Sequence, residues 1–180
     1  MLRWSRAGPG AVVVASVVLS IGSNLGDRLA HLQSVVSGLG GAVRTVSPVY
    51  ETDAWGGVEQ GPFLNAVVLA DHPGLDGPGW LRRAHEFENA ADRVREQRWG
   101  PRTLDVDIVS CHDGGVELRS DDPALTLPHP LAHQRAFVLV PWLAADPDAE
   151  LRGVPVADLL AALDAGERDG VRPTDLALVR

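Results

Sequence analysis

The order of strand-like and helix-like segments predicts an α+β fold, with helices packed against an antiparallel sheet. Apolar runs rich in β-branched residues recur along the chain, apolar residues at helical spacing lie between them, and glycine or proline marks most joints. The 180 residues suit one domain with one hydrophobic core. Within it we expect a loose leader at 1–10, a folded body at 12–165 and an irregular tail at 166–180.

The first apolar run, Ala11–Ile21, allows two interpretations. It follows two arginines and superficially resembles a secretory signal, and its eleven residues are too few to span a bilayer. Its high valine content favours a buried strand that spans Val12–Ile21. The run also leads into a turn in which Ser23 or Asn24 can cap the next helix. We therefore expect the strand.

The later segments alternate between strand and helix patterns. Apolar spacing predicts a helix from Leu25 to the two glycines after Leu39, and Pro78 can open a second helix that runs to about Ala91. Pro48 places part of the second strand at an edge or a bulge. The remaining predicted strands are Val43–Thr52, Phe63–Ala70 and Thr103–Ser110, followed by a hairpin return at Val116–Leu118 and short helices at Ala136–Ala145 and Pro155–Ala165. The order β-α-β-β-α-β is the ferredoxin-like pattern, a four-stranded antiparallel sheet with two helices on one face, here with a C-terminal helical extension.

Composition excludes several classes of mechanism. The formal net charge is -8, which argues against a nucleic-acid binder. All sixteen basic residues are arginine. Without lysine there can be no Walker A phosphate loop, no kinase-type ATP lysine and no Schiff base. The single cysteine, Cys111, cannot form an intramolecular disulfide, and its apolar neighbours favour a core position over a nucleophile.

The most informative stretch contains four arginines within ten residues, followed by two aspartates two positions apart. Asp105 and Asp107 should lie on the same face of a strand, because strand side chains alternate with a period of two. Hard divalent cations bind carboxylates together with substrate phosphates, and guanidinium groups bind phosphate oxygens bidentately. The alternative is a pair of exposed carboxylates on an edge strand. The arginines are Arg93, Arg95, Arg98 and Arg102. Together with the two aspartates they indicate a metal–nucleotide site.

Four motifs in this order carry a resemblance to a known family. They are Ile21-Gly22-Ser23-Asn24-Leu25-Gly26-Asp27, Phe63-Leu64-Asn65-Ala66-Val67, Arg98-Trp99-Gly100-Pro101-Arg102-Thr103-Leu104-Asp105-Val106-Asp107-Ile108 and Leu127-Pro128-His129-Pro130. Together they resemble the 6-hydroxymethyl-7,8-dihydropterin pyrophosphokinases of folate biosynthesis, over about Val12 to Pro141. The third motif is specific by itself, whereas the others gain weight from their order.

The resemblance implies a diphosphotransferase that moves pyrophosphate from ATP to the pterin hydroxymethyl group and leaves AMP. It implies two Mg²⁺ ions held by Asp105 and Asp107. It implies catalytic roles for Arg93 and Arg102, on a loop that holds the phosphates, together with the two aspartates. The segment between Arg95 and Trp99 is one residue shorter than in the best-known bacterial form.

The resemblance also implies two sets of binding residues. The ATP set is Glu88, Arg93, Arg95, Trp99, Arg102, Ile108, Thr126, His129 and Arg135. Glu88 could instead be a helix-surface partner of Arg95, and Trp99 could be a structural wedge. The spacing of His129 and His133 could suggest a metal pair, but no adjacent glutamate is present and Pro130 opposes a regular helix, so we reject zinc.

The implied pterin set is Thr52, Asp53, Trp55, Phe63, Asn65, Asp105 and Phe137. A planar ring needs flat apolar walls and a few hydrogen-bonding groups. Core packing is the alternative for each phenylalanine, but Asn65 inside an apolar strand needs a partner if it is buried. Trp55 departs from the family pattern, which leaves the shape of the pocket rim undetermined. Pro130 stands where some members have a tyrosine, so that ATP contact is missing here.

Three functions are compatible with the motifs: the pyrophosphokinase, a noncatalytic ferredoxin-like ligand-binding module, and another Mg²⁺-dependent nucleotidyl or phosphoryl transferase. A binding module would not need both carboxylates, and Asn65 with two phenylalanines favours a pterin. We expect small-molecule substrates (ATP and the reduced pterin), no nucleic-acid or membrane partner, a monomer, and a cytoplasmic location.

Overall fold

The sheet is built around the valine-rich run near the start of the chain. That run forms β1 (Val14–Ser23), which pairs antiparallel with β4 (Phe63–Pro73) on one side and β5 (Asp105–Asp113) on the other. The computed structural model describes residues 14–54, 60–91 and 101–180. β1 is therefore the central strand, as expected for a buried segment of β-branched residues.

Shorter strands extend the sheet on both sides. The bounds are Val43–Val46 (β2), Tyr50–Thr52 (β3), Val116–Glu117 (β6), Ser120–Asp122 (β7), Leu125–Leu127 (β8), Glu150–Leu151 (β9), Val154–Pro155 (β10) and Val171–Pro173 (β11). In the described residues the order is β11-β3-β4-β1-β5-β6, and β2 also pairs with β4. In the same part of the chain, two small hairpins lie outside this sheet, β7 with β8 and β9 with β10. The α-helices are Arg28–Leu39 (α1), Gly77–Ala90 (α2), Ala136–Ala145 (α3), Val156–Ala161 (α4) and Ala165–Asp169 (α5).

Side chains along each strand point alternately to the two faces of the sheet, so the core forms two layers. On one face, α1 and α2 bury side chains such as Leu32 and Trp80 against Leu19 and Ile21 of β1. On the other face, α3 packs Leu139 against Val18 and its neighbours. The predicted ferredoxin-like arrangement is confirmed, with two helices on one face, and the C-terminal extension covers the opposite face.

Several predicted elements differ from the structure. The predicted second strand is split into β2 and β3, both along β4, because Pro48 has no N–H for the ladder. Between them, the backbone and side chain of Ser47 hydrogen-bond to Val67 at 2.9 Å each. The predicted last helix is shorter than expected, because α4 ends at Ala161 and α5 begins only at Ala165. The fourth strand begins at Asp105 and continues to Asp113.

Two further predictions are wrong. The cap of α1 is Asp27, whose Oδ1 accepts from the Ala30 N–H at 3.0 Å, and not Ser23 or Asn24. The tail is also not irregular throughout, because it contains α5 and β11, and β11 pairs with β3. The predicted leader and most of the arginine-rich segment lie outside the described residues.

Cys111 is a core residue, as predicted. Its side chain is fully buried on the α1–α2 face of the sheet. Burial, with a further contribution from Asp76, raises the pKa of the thiol to about 12. The thiolate is the nucleophilic form of cysteine, so this residue is inert at neutral pH. Among the described residues, no helix is both long and apolar enough to cross a membrane.

Gly38→Ala should destabilise the fold, because a Cβ atom at Gly38 would lie 2.4 Å from Cε1 of Phe87 in α2. Overpacking costs about 1–3 kcal/mol, whereas alanine recovers at most about 1 kcal/mol of helix propensity. We expect a net loss of about 1 kcal/mol in the free energy of urea unfolding. Gly41→Ala is the control, since a Cβ atom at Gly41 would have no neighbour within 4 Å. A Gly38 variant as stable as the wild type would contradict this packing.

Candidate functional site

A cleft opens where β1 ends and where β4 and β5 begin, beside the start of α3. Its empty volume is about 610 Å³, which includes the solvent at its open mouth. It is lined by Ser20, Gly22, Thr52, Asp53, Gln60, Phe63, Asn65, Arg102, Asp105, Asp107, Arg135 and Phe137. The cleft thus brings the two aspartates together with most of the residues expected to bind a pterin.

The floor of the cleft is a row of side chains across three neighbouring strands. Gly22 of β1 pairs with Asn65 on β4 and with Asp105 on β5. A Cβ atom on Gly22 would come within 2.5 Å of Oδ1 of Asn65. Two positions earlier on β1, Ser20 pairs with Asp107. Small residues at these two positions therefore keep the floor open between the amide and the carboxylates.

Asn65 is buried at this floor, and its side chain is anchored. Its Nδ2 donates to Oγ1 of Thr52 at 2.6 Å, and both residues are less than 5% exposed. A carboxamide has two donor hydrogens and an acceptor oxygen. This bond uses one of the donors and fixes the plane of the group at the cleft.

Phe63 and Phe137 line the cleft from β4 and α3. Each is only half-buried, whereas a phenylalanine that serves core packing alone is normally enclosed. The guanidinium carbon of Arg135 lies 5.5 Å from the centre of the Phe137 ring. We call the part of the cleft lined by Phe63, Phe137 and Asn65 the slot. Two aromatic side chains and a fixed amide suit a flat heterocycle with hydrogen-bonding edges.

Asp105 and Asp107 lie on the same face of β5, as their spacing predicts, and each contacts an arginine. Arg102 forms a salt bridge with Oδ2 of Asp105. Nη1 of Arg135 lies 3.3 Å from Oδ2 of Asp107. Burial lowers the pKa of Arg135, and the charges of Asp107 and Asp105 oppose that effect. The arrangement holds two carboxylates close together by placing a cation beside each.

His129 lies close to the carboxylate of Asp107 because of an irregularity in β5. Val18 and Leu19 pair with Ser110 and Ile108, so Val109 is an extra residue, a β-bulge. Its carbonyl accepts from the N–H of His129 at 2.8 Å. Nε2 of His129 then lies 3.9 Å from Oδ2 of Asp107.

The imidazole of His129 is neutral at physiological pH. Burial and the nearby charge of Arg135 lower its pKa to about 4. Nδ1 accepts from the N–H of Leu131 at 3.2 Å, which places the single ring proton on Nε2. The ring is therefore an uncharged donor directed at Asp107 or at an anion close by.

Three expected nucleotide-binding residues lie away from the cleft. Glu88 is buried under the sheet, where Oε1 accepts from the N–H of Val106 at 3.0 Å. The side chain of Ile108 packs in the core on the α1–α2 face. Oγ1 of Thr126 donates to the carbonyl of Asp122 at 3.1 Å. Trp55, Arg93, Arg95 and Trp99 lie outside the described residues.

The structure adds residues that the sequence analysis missed. Ser20, Gly22 and Gln60 line the cleft. Asn24 joins two chain segments beside it: its backbone N–H and Oδ1 bond to the backbone of Arg102, and its Nδ2 donates to Oε1 of Gln60 at 2.9 Å. Ser20 and Gly22 are small residues at alternate positions of one strand, and this spacing could have predicted an open space beside it. The contacts of Asn24 could not be predicted in this way, because they join distant parts of the chain.

The two carboxylates fit a hard divalent cation by their chemistry. Within residues 14–54, 60–91 and 101–180, no group of three or more histidine, cysteine, aspartate or glutamate side chains could hold a metal. An ion at Asp105 and Asp107 would therefore take further ligands from substrate oxygens and water, as Mg²⁺ commonly does.

Comparisons with known proteins identify the family of the chain. Residues 18–147 match the family model described as 7,8-dihydro-6-hydroxymethylpterin-pyrophosphokinase. A 2-amino-4-hydroxy-6-hydroxymethyldihydropteridine pyrophosphokinase of Mycobacterium leprae is 61% identical over 172 residues, covering 90% of each chain. The Mycobacterium tuberculosis protein of that name is 59% identical over 165 residues, covering 87% of this chain and 88% of the relative.

Solved structures support the fold. A Plasmodium falciparum HPPK-DHPS triple mutant, solved with pterin and p-hydrobenzoate, has a TM-score of 0.64 at 11% identity and covers 91% of this chain. The chain spans 48% of that longer protein. Taken with the family model and the mycobacterial relatives, the site and the sequence show that this chain belongs to the 7,8-dihydro-6-hydroxymethylpterin-pyrophosphokinase family.

Proposed function

We propose that the chain transfers a pyrophosphoryl group from ATP to the hydroxymethyl group of the reduced pterin, with Mg²⁺. The observation that carries the proposal is the shared cleft, in which a slot for a flat ring adjoins a two-carboxylate site. In the reaction, the pterin hydroxyl oxygen bonds to the β-phosphorus of ATP. The bond from that phosphorus to the bridging oxygen of the α-phosphate breaks, the hydroxyl proton is released, and AMP leaves.

In this proposal the pterin lies between Phe63 and Phe137. Asn65 and Thr52 present a fixed hydrogen-bonding edge to the ring, and the backbone at Asp53 forms part of the rim. Because the floor ends at Asp105, a substituent that projects from the ring along the row is directed toward the carboxylates. Orientation of this kind places the reacting oxygen before chemistry begins.

Asp105 and Asp107 would hold two Mg²⁺ ions, which supply charge neutralisation of the ATP phosphates. Arg102 and Arg135 already contact these carboxylates and can bind phosphate oxygens with the same groups. The neutral His129 can donate from Nε2 without adding charge. Phosphoryl chemistry depends mainly on positioning and on charge stabilisation, which these side chains provide. We propose that Arg93 and Arg95 add further contacts to the phosphates and that Trp99 lies near the nucleotide. We also propose that the protein is a cytoplasmic monomer.

A noncatalytic ligand-binding module is the alternative. Purified protein incubated with Mg²⁺, ATP and the reduced pterin should form AMP in proportion to pterin diphosphate, measured by chromatography. The control omits the pterin. Formation of ADP would overturn the pyrophosphoryl assignment, and absence of any product would favour the binding module.

Asp107→Asn should lower kcat on the order of 100-fold or more, because asparagine keeps the shape and removes the charge that holds the cation. The measurement is steady-state AMP formation with saturating Mg²⁺, alongside the melting temperature. Asp113→Asn is the matched control, since this carboxylate lies at the other, exposed end of β5. Near-normal turnover in the Asp107 variant would remove its proposed metal role.

Gly22→Ala should raise KM for the pterin by roughly tenfold or more, which corresponds to about 1.4 kcal/mol. The new methyl would displace Oδ1 of Asn65, 2.5 Å away, and tilt the amide that fixes the ring. KM for ATP should change much less. Gly41→Ala again serves as the control. Equal losses for both substrates would show that the substitution disturbs the sheet and not the pterin edge.

A further inference from the structure

Four charged side chains form a chain of alternating sign at the edge of the sheet, behind the cleft. Nη1 of Arg28, in α1, lies 3.3 Å from Oε2 of Glu51. The other oxygen of Glu51 lies 3.8 Å from Nη2 of Arg172, in β11. Nη2 of Arg172 also lies 2.9 Å from Oδ1 of Asp53. Glu51 therefore links one arginine from near the start of the chain to another from near its end.

The same arginines and their neighbours hold backbone on both sides of residues 54–61. Nη1 of Arg28 donates to the carbonyl of Pro62 at 2.9 Å. The N–H of Asp53 donates to the carbonyl of Gly170 at 3.1 Å, which continues the pairing of β11 with β3. Asp53 and Pro62 are thus both tied to the network centred on Glu51.

This network is poorly suited to a stabilising role. The side chains of Glu51 and Arg172 are 34% and 45% exposed, and that of Asp53 is 69% exposed. Exposed pairs of this kind contribute little to stability, roughly 0–1 kcal/mol each. What the network does supply is fixed geometry, because Arg28 joins the Glu51 side chain to the carbonyl of Pro62, whereas Arg172 joins the side chains of Glu51 and Asp53.

Both points of attachment adjoin residues of the pterin slot. Thr52 lies between Glu51 and Asp53 in the chain, and its Oγ1 anchors Asn65. Phe63 follows Pro62 directly and forms one aromatic wall. A shift of either backbone point would therefore move the fixed edge or the wall of the slot, while the carboxylates of β5 would stay in place.

We propose that Arg28, Glu51 and Arg172 are positioning residues for the pterin, which set its affinity by holding the backbone at Asp53 and Pro62. This inference rests on the proposed placement of the pterin in the cleft. It assigns the C-terminal strand β11 a part in binding one substrate and none in binding ATP.

The test compares Glu51→Gln and Arg172→Ala with Arg44→Ala. Arg44 pairs with Asp71 at 3.3 Å on the same sheet and is also exposed, but neither residue lines the cleft. Dissociation of the reduced pterin is followed by fluorescence without ATP, and KM and kcat are measured separately. We expect the first two variants to bind the pterin several-fold more weakly, with KM for ATP, kcat and the melting temperature near wild type. The Arg44 variant should bind like the wild type.

Two further measurements separate positioning from general damage. Salt screens exposed charges, so added NaCl should weaken binding of the uncharged pterin to the wild type and affect the Glu51 variant less. Arg172→Lys keeps a cation and should recover much of the affinity lost in Arg172→Ala. Pterin binding unchanged in both Glu51→Gln and Arg172→Ala would overturn the inference, as would parallel losses for pterin and ATP. Wild-type protein that binds the pterin without forming AMP would overturn the proposed function, and the binding comparison would still decide the role of these residues.

Discussion

The close approach of three strands at Gly22 is the constraint on which the site depends. The central strand must be free of a side chain where it passes between Asn65 and Asp105, because a single methyl would occupy the space of the amide oxygen. With that space open, the amide that we propose binds the pterin and the carboxylates that suit a cation share one floor. A rigid sheet then sets their separation, which a pair of loops could not do as reproducibly.

The parts of the site that follow from local periodicity could be predicted from the sequence. Alternation placed Asp105 and Asp107 on one face, and the helix predicted at Ala136–Ala145 has the observed bounds. The order of elements gave the ferredoxin-like arrangement. The residues that form the floor of the cleft were not predictable in the same way. Local sequence does not indicate the strand register, and therefore does not show which residues of β4 and β5 flank Ser20 and Gly22. The roles of Arg93, Arg95 and Trp99 remain predictions, since those residues lie outside the described ranges.

Two of the wrong predictions, the cap of α1 and the irregular tail, have a common cause, which is competition from distant contacts. Asn24 is as good a cap as Asp27 by propensity, but its amide is engaged with Arg102 and Gln60, and the cap falls to Asp27. The tail was predicted irregular because a three-residue strand has no usable pattern, and β11 forms only through its pairing with β3. In the same way, the bulge at Val109 that orients His129 has no signature in the run from Val106 to Ser110.

The pairing of β11 with β3 affects which backbone groups the edge of the sheet exposes to other chains. β3 carries Thr52 and would otherwise present a row of backbone N–H and C=O groups, which is a template for strand addition by another chain. β11 covers that row and itself ends in Pro173, which has no N–H to offer. β11 thereby becomes the edge of the sheet on this side, and a three-residue edge strand offers few groups for pairing with another chain.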